Sequence, residues 1–136
     1  MAYSVKEAIP TTDQYINIRL SAGLSRTSPE ATTIGLKNSL CSIEAYNDTI
    51  PIGLGRVIGD AGCFFEIVDI AVVPEYQKKG VGHLIMQTLM AYIHRSAPPT
   101  AYVSLMADHH TPKFYERYGF EMSLLPEKAG MFLRIK

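Results

Sequence analysis

Apolar residues recur at regular intervals along most of the chain, and their spacing changes from strand-like to helical near its middle. Between residues 63 and 73 apolar side chains fall on both alternating faces, which predicts a central strand covered by helices on both sides. Pro74 ends this strand. From about Val81 to Arg95 the apolar residues follow an i, i+3, i+4 stripe, which is typical of an amphipathic helix.

Each face of the predicted central strand carries one charged residue. Simple alternation places Phe65, Ile67 and Ala71 on one face and Phe64, Val68, Ile70 and Val72 on the other. Glu66 and Asp69 each stand alone among these apolar neighbours. Such a carboxylate is either a reactive group with a perturbed pKa or a structural group held by an ion pair, and the sequence leaves both interpretations open.

Turn and cap signals divide the rest of the chain into short elements. Further strands are predicted over residues 5–9, 40–46, 50–58, 101–106, 120–124 and 131–135, and further helices from Thr11 or Thr12 to Leu20, over 30–37, and from Pro112 to Gly119. Proline and glycine in 50–58 indicate a bulge or an edge strand. Since 40–46, 50–58 and 63–73 read as an antiparallel meander, we expect a layered α/β fold rather than a doubly wound sheet.

Length and charge limit the classes of protein to consider. The 136 residues fit a single domain, 1–136, and its 13 Lys and Arg balance 13 Asp and Glu. A nucleic-acid binder would need excess cations, so we expect neither a nucleic-acid nor a membrane-surface partner. Without an apolar run of spanning length or a secretory signal, we expect a cytoplasmic protein. Cys41 and Cys63 are expected to be small buried residues rather than reactive thiols.

The loop between the central strand and the long helix has the composition of an anion site. Gln77–Gly82 reads Q-K-K-G-V-G, with Lys78 and Lys79 adding positive charge. Free backbone N–H groups of the first helical turn and the helix dipole favour a bound phosphate, and glycine lets it approach the main chain. The alternative is a plain strand-to-helix turn that uses glycine for its geometry.

Two motifs together resemble the GCN5-related N-acetyltransferase (GNAT) family. Residues 69–82, D-I-A-V-V-P-E-Y-Q-K-K-G-V-G, are similar to the family's motif A, whose pattern is Gln/Arg-x-x-Gly-x-Gly/Ala. About thirty-five residues later, Phe114–Phe120 is similar to the end of its motif B. The glycine-rich hairpin from Gly53 to Gly62, with Arg56 and Asp60, is also typical of the family.

The resemblance implies a mixed, mostly antiparallel sheet with helices on both faces and splayed central strands, with acetyl-CoA as co-substrate in the gap. It implies that the pantetheine arm pairs with the backbone of residues 70–73 and that the pyrophosphate rests on residues 78–83. The cofactor-binding residues expected are Ile70, Ala71, Val72, Gln77, Lys78, Lys79, Gly80, Val81, Gly82, His83 and Asp108. Asp108 stands where the family often has Asn, and His83 is either beside the phosphates or in solvent.

Amide formation from a thioester requires a neutral amine, an oxyanion donor and an acid for the departing thiolate. For the acid the resemblance points to Tyr115, which helical spacing turns away from the core-facing Phe114 and Tyr118; a structural tyrosine is the alternative. For the base, Glu66 is preferred and Asp69 is the rival. A backbone N–H near Val72 is the candidate oxyanion donor.

We therefore expect an N-acetyltransferase that binds acetyl-CoA and a primary amine together, the acceptor being a small molecule or a peptide N-terminus. The resemblance places acceptor recognition in residues 19–27. A non-catalytic acyl-CoA-binding or sensing module is the alternative; it would need the loop but not Tyr115. No acyl-cysteine step is expected, and a metal at His109 and His110 is not expected because further ligands are missing from the pattern. A homodimer is compatible with the sequence.

Overall fold

The computed structural model describes residues 3–108, 111–123 and 127–136, which contain five strands and four helices. The strands are β1 (Tyr3–Glu7), β2 (Cys41–Asn47), β3 (Ile50–Gly59), β4 (Phe64–Val72) and β5 (Tyr102–Leu105). The helices are α1 (Thr12–Ser21), α2 (Pro29–Lys37), α3 (Val81–Ser96) and α4 (Pro112–Glu116). A 3₁₀ turn, Pro74–Tyr76, follows β4.

Local capping signals determine where the first two helices begin. The Thr11 side chain accepts a hydrogen bond from the Gln14 N–H at 3.1 Å, and the Gln14 side chain accepts one from the Thr11 N–H at 3.2 Å. This reciprocal pair satisfies two N–H groups that the helix itself leaves free. Ser28 caps α2 in the same way, with Pro29 at its first position. The sequence prediction of both helices is confirmed.

The sheet order is β1-β2-β3-β4-β5, and every neighbouring pair is antiparallel except β4 with β5, which is parallel. The predicted meander is therefore confirmed. Helices α1 and α2 pack on one face through a cluster that includes Tyr15 and Leu54, and α3 packs on the other through Ile85 and Leu89. β3 lies in the middle of the sheet, so its irregular composition reflects a bulge and not an edge.

A β-bulge in β4 overturns the predicted faces of this strand. Arg56 is paired with Val68 and Leu54 with Ala71, so Gly55 alone stands opposite two residues, Asp69 and Ile70. Asp69 has a left-handed φ of 64°, which aspartate tolerates better than most residues do. The extra residue reverses the alternation. Ala71 therefore joins the α1/α2 cluster, whereas Phe65 and Ile67 lie in the α3 cluster.

The bulge also explains a glycine on the neighbouring strand. A Cβ on Gly55 would lie 2.7 Å from Ile85 Cγ2 and 2.9 Å from Ile70 Cδ1. Both distances are too short for carbon atoms, so any side chain there would displace α3 or β4. Gly55 therefore allows α3 to pack directly over the bulged part of the sheet.

The two last predicted strands are not strands in this structure. Residues 120–123 and 131–135 form no ladder with any described residue, and Leu124 lies outside the described part of the chain. The apolar alternation was identified correctly, but a strand also needs a partner for its backbone N–H and C=O groups. The prediction of two strands at 120–124 and 131–135 was therefore wrong for the described residues.

Candidate active site

The two parallel strands, β4 and β5, separate beyond the residues that pair, and a cavity opens between them. β4 pairs with β5 only from Phe64 opposite Tyr102 to Ile67 opposite Leu105. β5 ends there, whereas β4 continues to Val72. The cavity at this divergence measures about 370 Å³ and is lined by Arg19, Leu24, Glu66, Ile67, Val68, Asp69, Ile70, Leu105, Met106, Asp108, Tyr115 and Arg134.

Five residues singled out from the sequence line this cavity: Glu66, Asp69, Ile70, Asp108 and Tyr115. The remaining predicted cofactor residues lie at the end of β4, in the loop before α3 or in the first turn of α3, outside the lining. Ala71 and Val81 have buried side chains that pack in the two core clusters, so only their backbone groups are available to a ligand. Arg19 and Leu24 lie in the segment where acceptor recognition was expected.

Asp69 is held by three donors at the base of the cavity. Arg19 Nη1 donates to Oδ1, while Arg56 Nε and the Tyr15 hydroxyl donate to Oδ2 at 2.7 and 2.6 Å. The Asp69 side chain is only 6% exposed. Its charge is thus compensated by two guanidinium groups, and its lone pairs are largely occupied.

Tyr15, Arg19 and Arg56 form the hydrogen-bond network around the Asp69 carboxylate. Burial, followed by the hydrogen bond to Asp69, raises the pKa of Tyr15 to about 12, so its hydroxyl remains a donor over the physiological range. Arg56 extends the network to α2 by donating from Nη1 to the Gly35 carbonyl at 3.0 Å. Sequence analysis missed these partners. The available signal was Asp69 itself, since a carboxylate in an apolar strand requires cations nearby.

Glu66 differs from Asp69 although both carboxylates line the same cavity. It lies on β4 opposite Ser104 of β5, and it is half-buried. Among the described residues it has no hydrogen-bond or ion-pair partner. Its carboxylate is therefore free to accept a proton or a hydrogen bond from a ligand in the cavity.

Tyr115 reaches the cavity from the other side, on α4. Phe114 on α4 and Tyr118 in the turn that follows it pack on each other and towards the first turn of α3, as their predicted spacing requires. Tyr115 is rotated away from them and lines the cavity. Burial, and to a smaller extent the Asp108 carboxylate, raises the pKa of Tyr115 above its ordinary value. The phenol is therefore protonated at neutral pH, as a proton donor must be.

Asp108 lies where the chain turns from β5 into α4. Its carbonyl accepts hydrogen bonds from the Thr111 N–H at 3.0 Å and from the Thr111 hydroxyl at 2.7 Å. Its exposed side chain lines the cavity beside Tyr115. Thr111 directly precedes α4, and its hydroxyl donates to the Asp108 carbonyl instead of capping the helix. His109 and His110 lie outside the described residues.

The open side of β4 presents one backbone N–H towards the gap. The Val73 N–H donates to the Ile52 carbonyl on β3 at 2.8 Å. Because successive residues of a strand direct their backbone groups to opposite sides, Val72 directs its N–H and C=O away from β3. The Gln77 side-chain amide occupies that carbonyl, donating at 2.9 Å, and leaves the Val72 N–H on the open side.

The loop before α3 is built on two left-handed residues. Lys78 has a φ of 62° and Gly80 a φ of 86°. The first hydrogen bond of the helix runs from the Leu84 N–H to the Gly80 carbonyl at 3.1 Å, so the N–H groups of residues 81–83 have no partner within the helix. These amides and the helix dipole form a site suited to an anion.

Helix α4 packs against this first turn. A Cβ on Gly82 would lie 3.5 Å from Phe114 Cζ, and His83 Nδ1 forms a short hydrogen bond with the Tyr118 hydroxyl. His83 is thus in contact with protein and not only with solvent. Because α4 also carries Tyr115, the loop and the cavity are joined by one short helix.

The two cysteines differ in their exposure. Cys41 is buried as predicted, and burial raises the pKa of its thiol to about 11, but Cys63 is exposed, so that half of the prediction was wrong. Neither cysteine lines the cavity. The described residues contain no group of three His, Cys, Asp or Glu placed to hold a metal ion. Nor do they contain a helix long and apolar enough to cross a membrane.

Comparisons with known proteins match this geometry. A structure from meticillin-resistant Staphylococcus aureus, described as a probable acetyltransferase, is 41% identical, covers 98% of this chain and all of its own, and superposes with a TM-score of 0.92. Glucosamine-6-phosphate N-acetyltransferase from Arabidopsis thaliana, 14% identical with a TM-score of 0.69, covers 98% of this chain and all of its own, and shares the fold.

The sequence comparisons agree. The chain is 36% identical over 83 residues to GCN5-related N-acetyltransferase 2 from chloroplasts of Arabidopsis thaliana, a match that covers 60% of this chain and 30% of that protein. The acetyltransferase (GNAT) domain family matches residues 23–133, which include the meander, the loop, α3 and α4. With the splayed strands and the glycine loop in place, the chain belongs to the GNAT family of acetyltransferases.

Proposed function

We propose that residues 1–136 act as one enzyme domain that transfers the acetyl group of acetyl-CoA directly to a primary amine, with both substrates bound at once. The observation that carries the proposal is the cavity between β4 and β5, which is lined by the Glu66 carboxylate, without a partner among the described residues, and by the protonated Tyr115 hydroxyl. The acceptor is a small-molecule amine or a peptide N-terminus. The two proton transfers of amide formation, from the amine and to the thiolate, therefore each have a candidate group within the same cavity.

The chain offers a fitting surface for acetyl-CoA. The amides of residues 81–83, with Lys78 and Lys79 beside them, suit the pyrophosphate. The unpaired side of β4 near Val72 suits the amide groups of the pantetheine arm, because an extended chain can add to a free sheet edge. When bound, acetyl-CoA supplies the acyl thioester. The Val72 N–H on the open side is the candidate donor to its carbonyl oxygen.

The structure favours Glu66 over Asp69 as the base. Asp69 accepts from Arg19, Arg56 and Tyr15, so taking a proton would cost it these charge-assisted bonds. Glu66 has no such partners among the described residues and lies on the same cavity. We assign Glu66 to accept the proton of the attacking amine, directly or through a water molecule, and Asp69 to hold β3, β4 and α1 in place.

Tyr115 is assigned to return a proton to the departing sulfur. In the overall step a C–N bond forms, the C–S bond breaks, the amine loses a proton to Glu66 and the thiolate gains one from Tyr115. Neither cysteine is required, since Cys41 is buried, its thiol has a raised pKa, and Cys63 lies outside the cavity. A direct transfer therefore uses the groups that the cavity contains.

A panel assay tests the proposal. Purified protein is mixed with acetyl-CoA and a series of amines, including small amines, amino sugars and peptides, and released thiol is measured together with the acetylated product. Calorimetry measures acetyl-CoA binding on the same sample. Turnover with any amine supports the proposal. Binding without turnover across the panel supports the non-catalytic acyl-CoA module, and absence of binding contradicts both.

A further inference from the structure

Two aromatic side chains lie exposed and in contact at the start of the two parallel strands. Phe64 of β4 and Tyr102 of β5 are 62% and 49% exposed. They stand opposite each other in the ladder, and their rings meet edge to face with centroids 6.1 Å apart. Single apolar residues are normal at a surface, but two adjacent rings form a patch on which a ligand can pack. We call Phe64 and Tyr102 the aromatic pair.

The aromatic pair lies on the same face of the sheet as the candidate base. Phe65, the residue between Phe64 and Glu66, is buried in the α3 cluster. Because side chains alternate along a strand, Phe64 and Glu66 both point to the opposite face. The bulge at Asp69 comes later in β4 and does not disturb this part of the alternation. Tyr102 shares the face because its ring contacts Phe64.

The cavity continues along this face towards the aromatic pair. The α1/α2 cluster covers the face near the carboxyl end of β4, at Leu54 and Ala71. The aromatic pair lies at the opposite end of β4, where both rings remain exposed. Between these two regions, Glu66 and Val68 line the cavity. A molecule bound beside Glu66 can therefore extend along the sheet onto the aromatic pair.

The spacing along β4 sets the shape of a ligand that uses both features. Phe64 and Glu66 are two positions apart, so their Cα atoms are separated by about 7 Å. An amine that hydrogen-bonds to Glu66 can reach the aromatic pair with a ring carried on a short alkyl chain. An aromatic ring also suits the pair chemically, since it packs against other rings in offset or edge contacts and leaves water in doing so.

A cation beside the aromatic pair disfavours a second class of acceptor. The Lys128 ammonium group lies 4.9 Å from the centre of the Tyr102 ring. A diamine would place its second ammonium group close to this charge and would be repelled by it. An uncharged ring meets no such repulsion. The far end of the acceptor is therefore expected to be apolar and neutral.

We propose that the aromatic pair binds the body of the acceptor, and that the acceptor is a primary amine that carries an aromatic ring on a short alkyl chain. The inference rests on the function proposed above, in which Glu66 accepts the proton of the amine. Phe64 and Tyr102 determine specificity and do not touch the reacting atoms. Such contacts are made equally in the ground state and the transition state, so they act on KM and leave kcat unchanged.

Calorimetry with simple amines tests the aromatic pair without turnover, in the presence and absence of CoA. Phenylpropylamine is expected to bind about tenfold more tightly than propylamine, and the diamine cadaverine no more tightly than propylamine. Phe64→Ala and Tyr102→Ala should abolish this preference, whereas Tyr102→Phe keeps the ring and should retain it. Ile9→Ala is the matched control, because Ile9 is 61% exposed and follows β1 at the opposite edge of the sheet. Circular dichroism checks that each variant is folded.

The outcomes separate this proposal from the proposed reaction. Equal affinity for phenylpropylamine and propylamine, or a preference that survives both alanine variants, overturns it. Unchanged amine affinity with an altered oligomeric state in light scattering means that a second copy covers the pair, which also overturns it. Steady-state kinetics with acetyl-CoA and the same amines should show the preference in KM. A ring preference that depends on the pair, without acetylation of any amine, supports the binding role and contradicts the reaction.

Discussion

Arg56 Nε donates to Asp69 Oδ2 at 2.7 Å, across the point where the ladder between β3 and β4 is interrupted by the bulge. The bulge leaves Asp69 in a left-handed conformation, which costs backbone energy. Arg56, Arg19 and Tyr15 offset that cost by binding the carboxylate. The bulge and the three donors to Asp69 therefore form one structural unit, located where the open side of β4 faces the cavity.

Replacing the Asp69 carboxylate should destabilise the fold. Asp69→Asn keeps the shape but leaves two guanidinium groups without their anion, so we expect the free energy of unfolding to fall by about 3 kcal/mol. Urea denaturation at neutral pH measures it. Asp48→Asn is the matched control, since Asp48 is exposed and also left-handed, with a φ of 54°. Equal effects of the two changes would contradict a stabilising role for the cluster.

The sequence predicted those parts of the fold that depend on neighbours along the chain. Thr11 and Ser28 begin their helices through hydrogen bonds to residues three positions away, so the local pattern was sufficient. Gly80 has the left-handed conformation that a glycine directly before a helix indicates. The loop was therefore found at the correct place, between β4 and α3.

Features decided by distant partners were not predictable. The bulge at Asp69 depends on Arg19 and Arg56, which lie 50 and 13 positions away, and without it simple alternation places Ala71 on the wrong face. The segment 131–135 has a strand pattern, but only a partner for its backbone can make it a strand. Glu66 and Tyr115 were both identified, yet their shared cavity follows from the divergence of β4 and β5.

The role assigned to Glu66 predicts a loss of turnover without a loss of stability. Glu66→Gln removes the proton acceptor from the cavity, so we expect kcat to fall by about a hundredfold while the unfolding midpoint and acetyl-CoA affinity stay close to those of the unmodified chain. Steady-state kinetics, calorimetry and denaturation on one preparation measure the three quantities. Glu116→Gln, an exposed position on α4, serves as control. Unchanged kcat in Glu66→Gln would remove Glu66 from the mechanism.

Tyr115 on α4 should behave differently from Tyr118 in the turn that follows. Tyr115→Phe removes the hydroxyl from the cavity, and we expect kcat to fall by about a hundredfold with acetyl-CoA affinity retained. Tyr118→Phe is the matched variant, because it removes a hydroxyl that bonds His83 and does not line the cavity. Tyr118→Phe should therefore retain most of the kcat of the unmodified chain. A normal kcat in Tyr115→Phe means that another group protonates the sulfur.

The Asp108 carboxylate should influence the alkaline side of the pH profile. Its negative charge contributes to raising the pKa of Tyr115, so Asp108→Asn is expected to lower that pKa. Since the acid must be protonated, the fall in kcat at high pH should then begin at a lower pH. Kinetics across the alkaline range and tyrosinate absorbance measure the shift. If kcat falls at the same high pH in Asp108→Asn as in the unmodified chain, that fall does not arise from ionisation of Tyr115.

Gly82, in the first turn of α3, allows acetyl-CoA binding to be tested separately from stability. At Gly82 a Cβ meets Phe114 at an ordinary 3.5 Å, so Gly82→Ala should fold at least as stably as the unmodified chain, yet its methyl group should weaken acetyl-CoA binding about tenfold by keeping phosphate from the amides. Gly35→Ala in α2 is the control and should bind normally. Calorimetry gives Kd and thermal denaturation gives Tm. If Gly82→Ala binds as tightly as the unmodified chain, the phosphates do not rest on this turn.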